Sequence, residues 1–287
     1  MLISGKEIRE TFISEWQKEI QALKSRGITP TIEIIQVGDD PASSVYVRNK
    51  QKLCERMEVN CIVEHFDATK SEEDLLSLIR KLNYDKNING ILVQSPLPKH
   101  INENKVVQSI AAIKDVDCFN VENVGKLWTA RNKFQGIMPC TPAGVIQMLK
   151  RSNISISGKN AVVIGRSNIT GKPMVALLLL EGATVTVCHS KTQNLAETCS
   201  KADILISCAG QAKFITKEYT NPNQVIIDVG INRDENGKLC GDVDFENVKD
   251  HVAAISPVPG GAGIMTVTML FDNLLYVTKL QNETTNS

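Results

Sequence analysis

Along its first third the chain alternates between two hydrophobic periods. TIEIIQV (31–37) and NCIVEHF (60–66) are runs of strand length, and GILVQ (90–94) is a short continuous apolar run of the kind that fills a buried strand. Between them, SSVYVRNKQKLCERM (43–57) and SEEDLLSLIRKLN (71–83) predict helices, the second with Ser71 as N-cap and Asp74 three residues on, an approximate capping box. Strand, helix, strand, helix, strand predicts a parallel sheet. The second half repeats the alternation: NAVVIG (160–165), ATVTVC (183–188), ADILISC (202–208) and QVIIDVG (224–230) are strand candidates, with a shorter one at VAAIS (252–256). TPAGVIQMLKRS (141–152) predicts a helix with Thr141 as N-cap and Pro142 at the first helical position. MTVTMLFDNLLYVTKL (265–280) predicts a last apolar helix after the stiff turn PVPGGAG, and the polar tail QNETTNS (281–287) is expected to be disordered.

This is an α/β pattern in two units, and 287 residues suffice for two domains. Lys and Arg total 32, as do Asp and Glu, so the totals imply no basic face; neither nucleic acid nor an anionic membrane surface is expected as a partner, and a small molecule is. Charges within MLISGKEIRE leave no signal-peptide core, and no apolar run reaches the ~18 residues of a membrane span, so a cytoplasmic protein without membrane attachment is expected. The 8 cysteines are scattered without a C-x-x-C pair and the 4 histidines are dispersed, which fits reduced thiols and no metal site.

Candidate chemistry in the second half begins at GRSNITGK (165–172), which joins a buried strand to an apolar helix. Glycines at such a turn let backbone N–H groups face an anion at a helix N-terminus. A P-loop is ruled out because five residues separate Gly165 from Gly171 and Pro173 follows Lys172; Ser167 also stands where G-x-G-x-x-G has its second glycine. On this loop alone an ordinary strand-to-helix turn stays open. The next strand ends in CHSKT (188–192), where a Rossmann-type unit that binds NAD carries an acid for the ribose 2′-hydroxyl. No acid is there. Ser190, Lys191, Thr192 and Arg166 offer hydroxyls and cations suited to a 2′-phosphate. Taken together the two stretches predict NADP; the alternative for HSKT is a solvated turn with His189 paired to a backbone carbonyl.

In the first half, Tyr46 and Lys50 lie four residues apart on one helix face. Gln94 ends a buried strand before a proline-stiffened turn, and KDVDCFN places Asp115 and Asp117 in a loop. Open α/β sheets build their sites at such strand ends, although each residue taken singly reads as structural.

Over nearly its whole length the chain resembles the bifunctional methylenetetrahydrofolate dehydrogenase/methenyltetrahydrofolate cyclohydrolase family. The blocks that carry the resemblance are VGDDPASSVYVRNKQK, NGILVQSPLP, KDVDCFN, PCTPAGV, VVIGRSNITGKPM, TVCHSKT, IDVGINR, GDVDF and PVPGGAGIMTVTML, in the family's order. The resemblance implies NADP-dependent oxidation of 5,10-methylenetetrahydrofolate, hydrolysis of the methenyl product to 10-formyltetrahydrofolate, a role in one-carbon metabolism and purine biosynthesis, and a homodimer. It implies that Lys50 is the central catalytic residue, Tyr46 orients the folate, Gln94 tunes the lysine and Asp117 holds the pteridine ring. Gly165, Arg166, Ser167, His189 and Ser190 would meet NADP with Ile231 near the nicotinamide, and Pro259, Gly260, Gly261 and Thr266 would line the cleft on the folate side. The implied architecture is an N-terminal α/β folate-binding catalytic domain (1–139 plus 267–287) and a Rossmann-type NADP-binding domain (140–266) with a cleft between them. Four positions depart from the family's pattern: Cys118 replaces a usual glycine, Ser95 a common leucine, and Ala262 and Ile264 alter the usual GVGPMT. Cys118 matters if its backbone needs a positive φ. Competing readings are another NADP-dependent dehydrogenase, acting on a small hydroxy acid or amino acid, and a folate-binding protein without turnover.

Overall fold

A computed structural model describes residues 1–131 and 134–283. In chain order its elements are α1 (Gly5–Lys24), β1 (Thr31–Val37), α2 (Pro41–Arg56), β2 (Asn60–Phe66), α3 (Glu72–Tyr84), β3 (Gly90–Val93), α4 (Glu103–Ser109), α5 (Val121–Thr129), α6 (Cys140–Arg151) and β4 (Asn160–Ile164). They continue with α7 (Gly171–Leu180), β5 (Thr184–Cys188), α8 (Leu195–Ser200), β6 (Ile204–Ser207), β7 (Val225–Asp228), β8 (Asn232–Arg233), β9 (Leu239–Cys240), α9 (Phe245–Val248), β10 (Ala254–Ile255) and α10 (Ala262–Glu283). Two compact units result: one of Met1–Thr11, Leu127–Phe134 and Pro139–Met269, the other of Phe12–Lys126, Gln135–Met138 and Leu270–Ser287.

The second of these units holds a parallel sheet in the order β2-β1-β3, as the alternation predicts. Strand β1 is buried along its whole length, and Ile35 and Val37 pack with Leu75, Ile79, Ile91 and Val93 beneath α3. Gly90 has no room for a side chain, because a Cβ there would meet Val116 and Leu274. Ser71 caps α3 through a hydrogen bond accepted from the Asp74 amide.

The other unit holds a five-stranded parallel sheet, β10-β7-β6-β4-β5, a doubly wound order whose direction reverses between β4 and β6, consistent with a Rossmann-type fold. Val162, Ile164, Leu205, Ile226 and Ile255 form its core with residues of α8 and α9. A two-stranded antiparallel ribbon, β8-β9, stands apart.

Three local differences from the sequence reading have physical reasons. Helix α1, absent from it, carries a buried stripe at Ile8, Phe12, Ile13, Trp16, Ile20 and Leu23, a helical spacing diluted by the charges between. Thr141 is not the N-cap of α6: the helix begins at Cys140 after Pro139, and the Thr141 hydroxyl pairs with that of Thr266 instead. Helix α10 runs three residues past Leu280, held by Gln281, whose Nε2 donates to Asn89 O at 2.8 Å and Ile113 O at 2.9 Å. Of the tail expected to be disordered, residues 284–287 lie outside the described residues. No helix among the described residues is long and apolar enough to cross a membrane.

Candidate active site

In the unit with the three-stranded sheet, Asp40 starts the site. Its carboxylate accepts from the Ser43 amide at 2.7 Å and Pro41 occupies the first turn, which fixes the origin of α2. Tyr46 and Lys50 then fall one turn apart. Gln94 follows β3, its amide still donating to Ile35 O at 2.8 Å, so the strand end is rigid where the side chain leaves it. The three side chains meet. Lys50 Nζ donates to Gln94 Oε1 at 2.7 Å and stands 5.9 Å from the Tyr46 ring centre.

The direction of the Gln94 amide is set by its other end, where Nε2 donates to Ser95 O at 2.8 Å. Ser43 Oγ donates to the same carbonyl at 3.0 Å, tying the start of α2 to the Ser95–Pro96 turn. Only Oε1 is then left to face the lysine. Gln94 is uncharged, so it orients the amine without a countercharge that would hold it protonated. Burial pushes the Tyr46 phenol above its ordinary value, and it stays neutral at physiological pH.

The loop between α4 and α5 divides labour between its two acids. Asp115 is buried, and its carboxylate accepts from the Asn120 amide at 2.8 Å and Asn123 Nδ2 at 3.0 Å, with the amides of Asp117 and Phe119 beside it. Burial pushes its carboxyl up and these donors pull it down, burial prevailing. Asp117 stays half-buried. Next to Asp117, Cys118 is buried with φ +62°, so the backbone that a glycine would favour is present and occupied by cysteine. Asp115 as the anchor of the loop was missed by sequence reasoning; its only signal was its place in KDVDCFN.

In the unit with the five-stranded sheet, the loop between β4 and α7 is made by two glycines. Gly165 has φ +125° and a Cβ there would collide with Cys208; a Cβ on Gly171 would collide with the Gly165 carbonyl. Ser167 organises the turn: its hydroxyl accepts from the amides of Thr170 at 3.1 Å and Gly171 at 3.3 Å. Part of the N–H set at the start of α7 is thus engaged internally. Arg166 is exposed. At the end of β5, Ser190 and Lys191 are exposed, and His189 Nδ1 accepts from the Lys191 amide at 3.2 Å. His189 therefore pairs with a backbone N–H rather than a carbonyl, and its proton lies on Nε2. Ile231, in the segment after β7, is 52% exposed, unusual for an isoleucine with an apolar core close by in sequence.

Pro259 follows a cis peptide and is exposed, Gly260 has φ +115°, and Gly261 packs against the Pro257 carbonyl with no space for a Cβ. The Gly5 amide donates to Gly260 O at 2.9 Å, and Thr266 Oγ1 lies 2.9 Å from Thr141 Oγ1. These residues and the cofactor-side residues belong to one unit, whereas Tyr46, Lys50, Gln94 and Asp117 belong to the other. The cofactor-side set fits a 2′-phosphorylated dinucleotide: a tight glycine turn at the start of α7, an exposed guanidinium, and hydroxyl and ammonium donors with no acid at the end of β5. Among the described residues no group of three His, Cys, Asp or Glu side chains could hold a metal ion.

Comparison with known proteins shows the family and the fold. Residues 3–117 match the catalytic domain of tetrahydrofolate dehydrogenase/cyclohydrolase, and residues 139–282 match its NAD(P)-binding domain. The chain is 52% identical over 279 residues to the bifunctional protein FolD of Lachnoclostridium phytofermentans, covering 97% of this chain and 98% of that one. It is 50% identical over 272 residues to that of Bacillus subtilis, covering 95% of each. Among solved structures, the FolD methylenetetrahydrofolate dehydrogenase/cyclohydrolase of Campylobacter jejuni superposes with a TM-score of 0.94 at 43% identity, covering 98% of this chain and 99% of that one. The Trypanosoma brucei enzyme, solved with NADP cofactor and inhibitor, superposes with a TM-score of 0.92 at 34% identity, covering 98% and 97%.

Proposed function

This chain belongs to the tetrahydrofolate dehydrogenase/cyclohydrolase family, and we propose from that premise how its residues divide the work. The protein is a bifunctional enzyme of one-carbon metabolism: it oxidises 5,10-methylenetetrahydrofolate to the 5,10-methenyl form, NADP supplying the hydride acceptor when bound, and hydrolyses the methenyl form to 10-formyltetrahydrofolate. The residue assignment rests on one observation, the 2.7 Å hydrogen bond from Lys50 Nζ to a Gln94 amide locked by Ser95. In the reading proposed here, the substrate carries its reacting carbon between two amine nitrogens and becomes cationic on oxidation. Lys50 manages protons as water adds to that carbon and one C–N bond opens. A cationic neighbour disfavours the ammonium, and uncharged Gln94 restores it less than a carboxylate in its place would. Tyr46 orients the folate, and Asp117 accepts the N–H groups of the pteridine edge.

On the cofactor side, Gly165, Arg166, Ser167, His189 and Ser190 would hold NADP, with Ile231 against the nicotinamide. Pro259, Gly260, Gly261 and Thr266 would face the folate. The domain assignment of 1–139 plus 267–287 to folate and 140–266 to cofactor belongs to the same proposal, as do a cytoplasmic location, a supply of formyl groups to purine assembly, and a homodimer. The exposed edge strand β5, with Val187 at 39% exposure, supports association of two copies. The test is a time course with methylenetetrahydrofolate and NADP that follows reduced cofactor and the methenyl species together. Reduced cofactor accompanied by formation and decay of methenyltetrahydrofolate is the expected result. Reduction of NADP by a small hydroxy acid, with none from the folate, would overturn the assignment.

A further inference from the structure

The block GDVDF carried part of the family resemblance without receiving a role. In the fold, its Asp242 follows β9 and is fully buried. Its carboxylate collects four donors: Ser207 Oγ at 2.9 Å, the Ala209 amide at 2.7 Å, the Gln211 amide at 2.9 Å and Asn232 Nδ2 at 2.9 Å. A carboxylate only accepts and offers about four lone-pair directions, so this one is saturated. The donors come from two different places, the loop after β6 and the segment after β7 that carries Ile231. Asp228, at the end of β7, holds Asp242 in turn by accepting from the amides of Gly230 at 2.9 Å, Asp242 at 3.0 Å and Val243 at 2.8 Å. Gly230 and Gly241 have no side chain because the carboxylates of Asp242 and Asp228 occupy that space.

We propose that Asp242 is a positioning residue for the dehydrogenase step: it pins the loops at 208–211 and 229–232 at the carboxyl ends of adjacent parallel strands, where open α/β sheets meet their ligands. This rests on the assignment of NADP to this unit. Loops ordered in advance spare the cofactor the entropy of ordering them. Hydrolysis of the methenyl form needs no nicotinamide, so Asp242 has no part in it. The residue must be an acid, because an amide at 242 would turn an NH₂ group toward partners that are themselves donors.

Two variants test this, Asp242→Asn and Asn232→Ala, the second removing one tether while leaving the carboxylate. Three readouts are taken: NADP affinity by titration, methenyl hydrolysis without NADP, and amide hydrogen exchange of 208–211 and 229–232 in cofactor-free protein. With the loops no longer ordered in advance, NADP affinity is expected to weaken by about ten-fold or more in Asp242→Asn, and by less in Asn232→Ala. Faster exchange in both loops and hydrolysis within about two-fold of the unaltered protein complete the expected result. If Asp242→Asn does not fold, Asn232→Ala decides by the same readouts. Unchanged affinity and exchange, or hydrolysis falling in step with NADP affinity, overturns the proposal. Failure of the unaltered protein to bind NADP overturns the cofactor assignment, and this inference with it.

Discussion

In the unit with the three-stranded sheet the candidate chemistry is carried by side chains. Lys50, Gln94 and Tyr46 come from a helix face and a strand end, with Gln94 held on Ser95 and Lys50 on Gln94 beside the Tyr46 ring. In the unit with the five-stranded sheet it is carried largely by backbone, with glycines at 165 and 171 letting the turn close tightly on its own main chain and a buried carboxylate fixing loops from behind. The contrast follows from the two tasks. Moving a proton needs a titratable group at a defined place, whereas holding an extended anionic cofactor needs many N–H groups and close approach of main chain. The first unit should therefore fail sharply when one side chain is changed, and the second by increments.

Lys50→Met is the sharpest way to break the comparison, because it keeps most of the side-chain length and removes the amine. Methenyl hydrolysis should fall by about 10²–10⁴-fold, the worth of a positioned acid-base group, while dehydrogenase activity stays measurable and methenyltetrahydrofolate accumulates. Hydrolysis near the unaltered rate in a folded variant would remove Lys50 from its role. A smaller effect is expected on the other side. Arg166→Ala removes one exposed guanidinium from a shared set of donors, and affinity for NADP should fall by about ten- to a hundred-fold with little change for NAD. Equal weakening of both cofactors would show that Arg166 does not meet the 2′-phosphate.

The same contrast explains what the sequence revealed. The strands of both sheets and the long helices other than α1 were legible because their apolar periods are clean, whereas spacing alone left Tyr46, Lys50 and Gln94 open to a structural reading and only the family resemblance gave them roles. Asp242 and Asp115 were not, since their role lies in donors supplied by distant backbone amides that leave no periodic trace. Helix α1 was missed although its buried residues keep helical spacing.

Buried acids sharpen the comparison further. Asp242 is saturated with donors, whereas Glu33 in β1 is 3% exposed and leaves Oε1 without a hydrogen-bond partner. Burial first, then the neighbouring Glu64 and Asp85, push its carboxyl from the ordinary 4.5 to about 7. The folded protein keeps a proton there that the unfolded chain releases, so stability falls as pH rises between these two values and the deficit persists above them. Glu33→Gln cannot ionise. Its stabilisation in urea unfolding should be small near about pH 5 and reach ~1–3 kcal/mol near about pH 8. An equal gain at both pH values would mean that packing, not ionisation, sets the difference.

The smallest effect is expected at Cys118, where the chain departs from the family's glycine yet keeps the left-handed backbone, at φ +62°. The strain of a Cβ in that region is about 1–2 kcal/mol. The loop holds this shape because the Asp115 carboxylate collects donors from 117, 119, 120 and 123 around the strained residue. Restoring glycine relieves the strain, but it also loosens the unfolded chain and loses a buried thiol, so Cys118→Gly should change stability by no more than about 1 kcal/mol. Alanine separates these effects, since it loses the thiol and keeps the strain. Cys118→Gly should therefore be more stable than Cys118→Ala by about 1 kcal/mol in denaturant unfolding, with both activities retained in the glycine variant because Asp117 keeps its place. If alanine proves as stable as glycine, the φ at 118 carries no strain, and the loop owes its conformation to Asp115 alone.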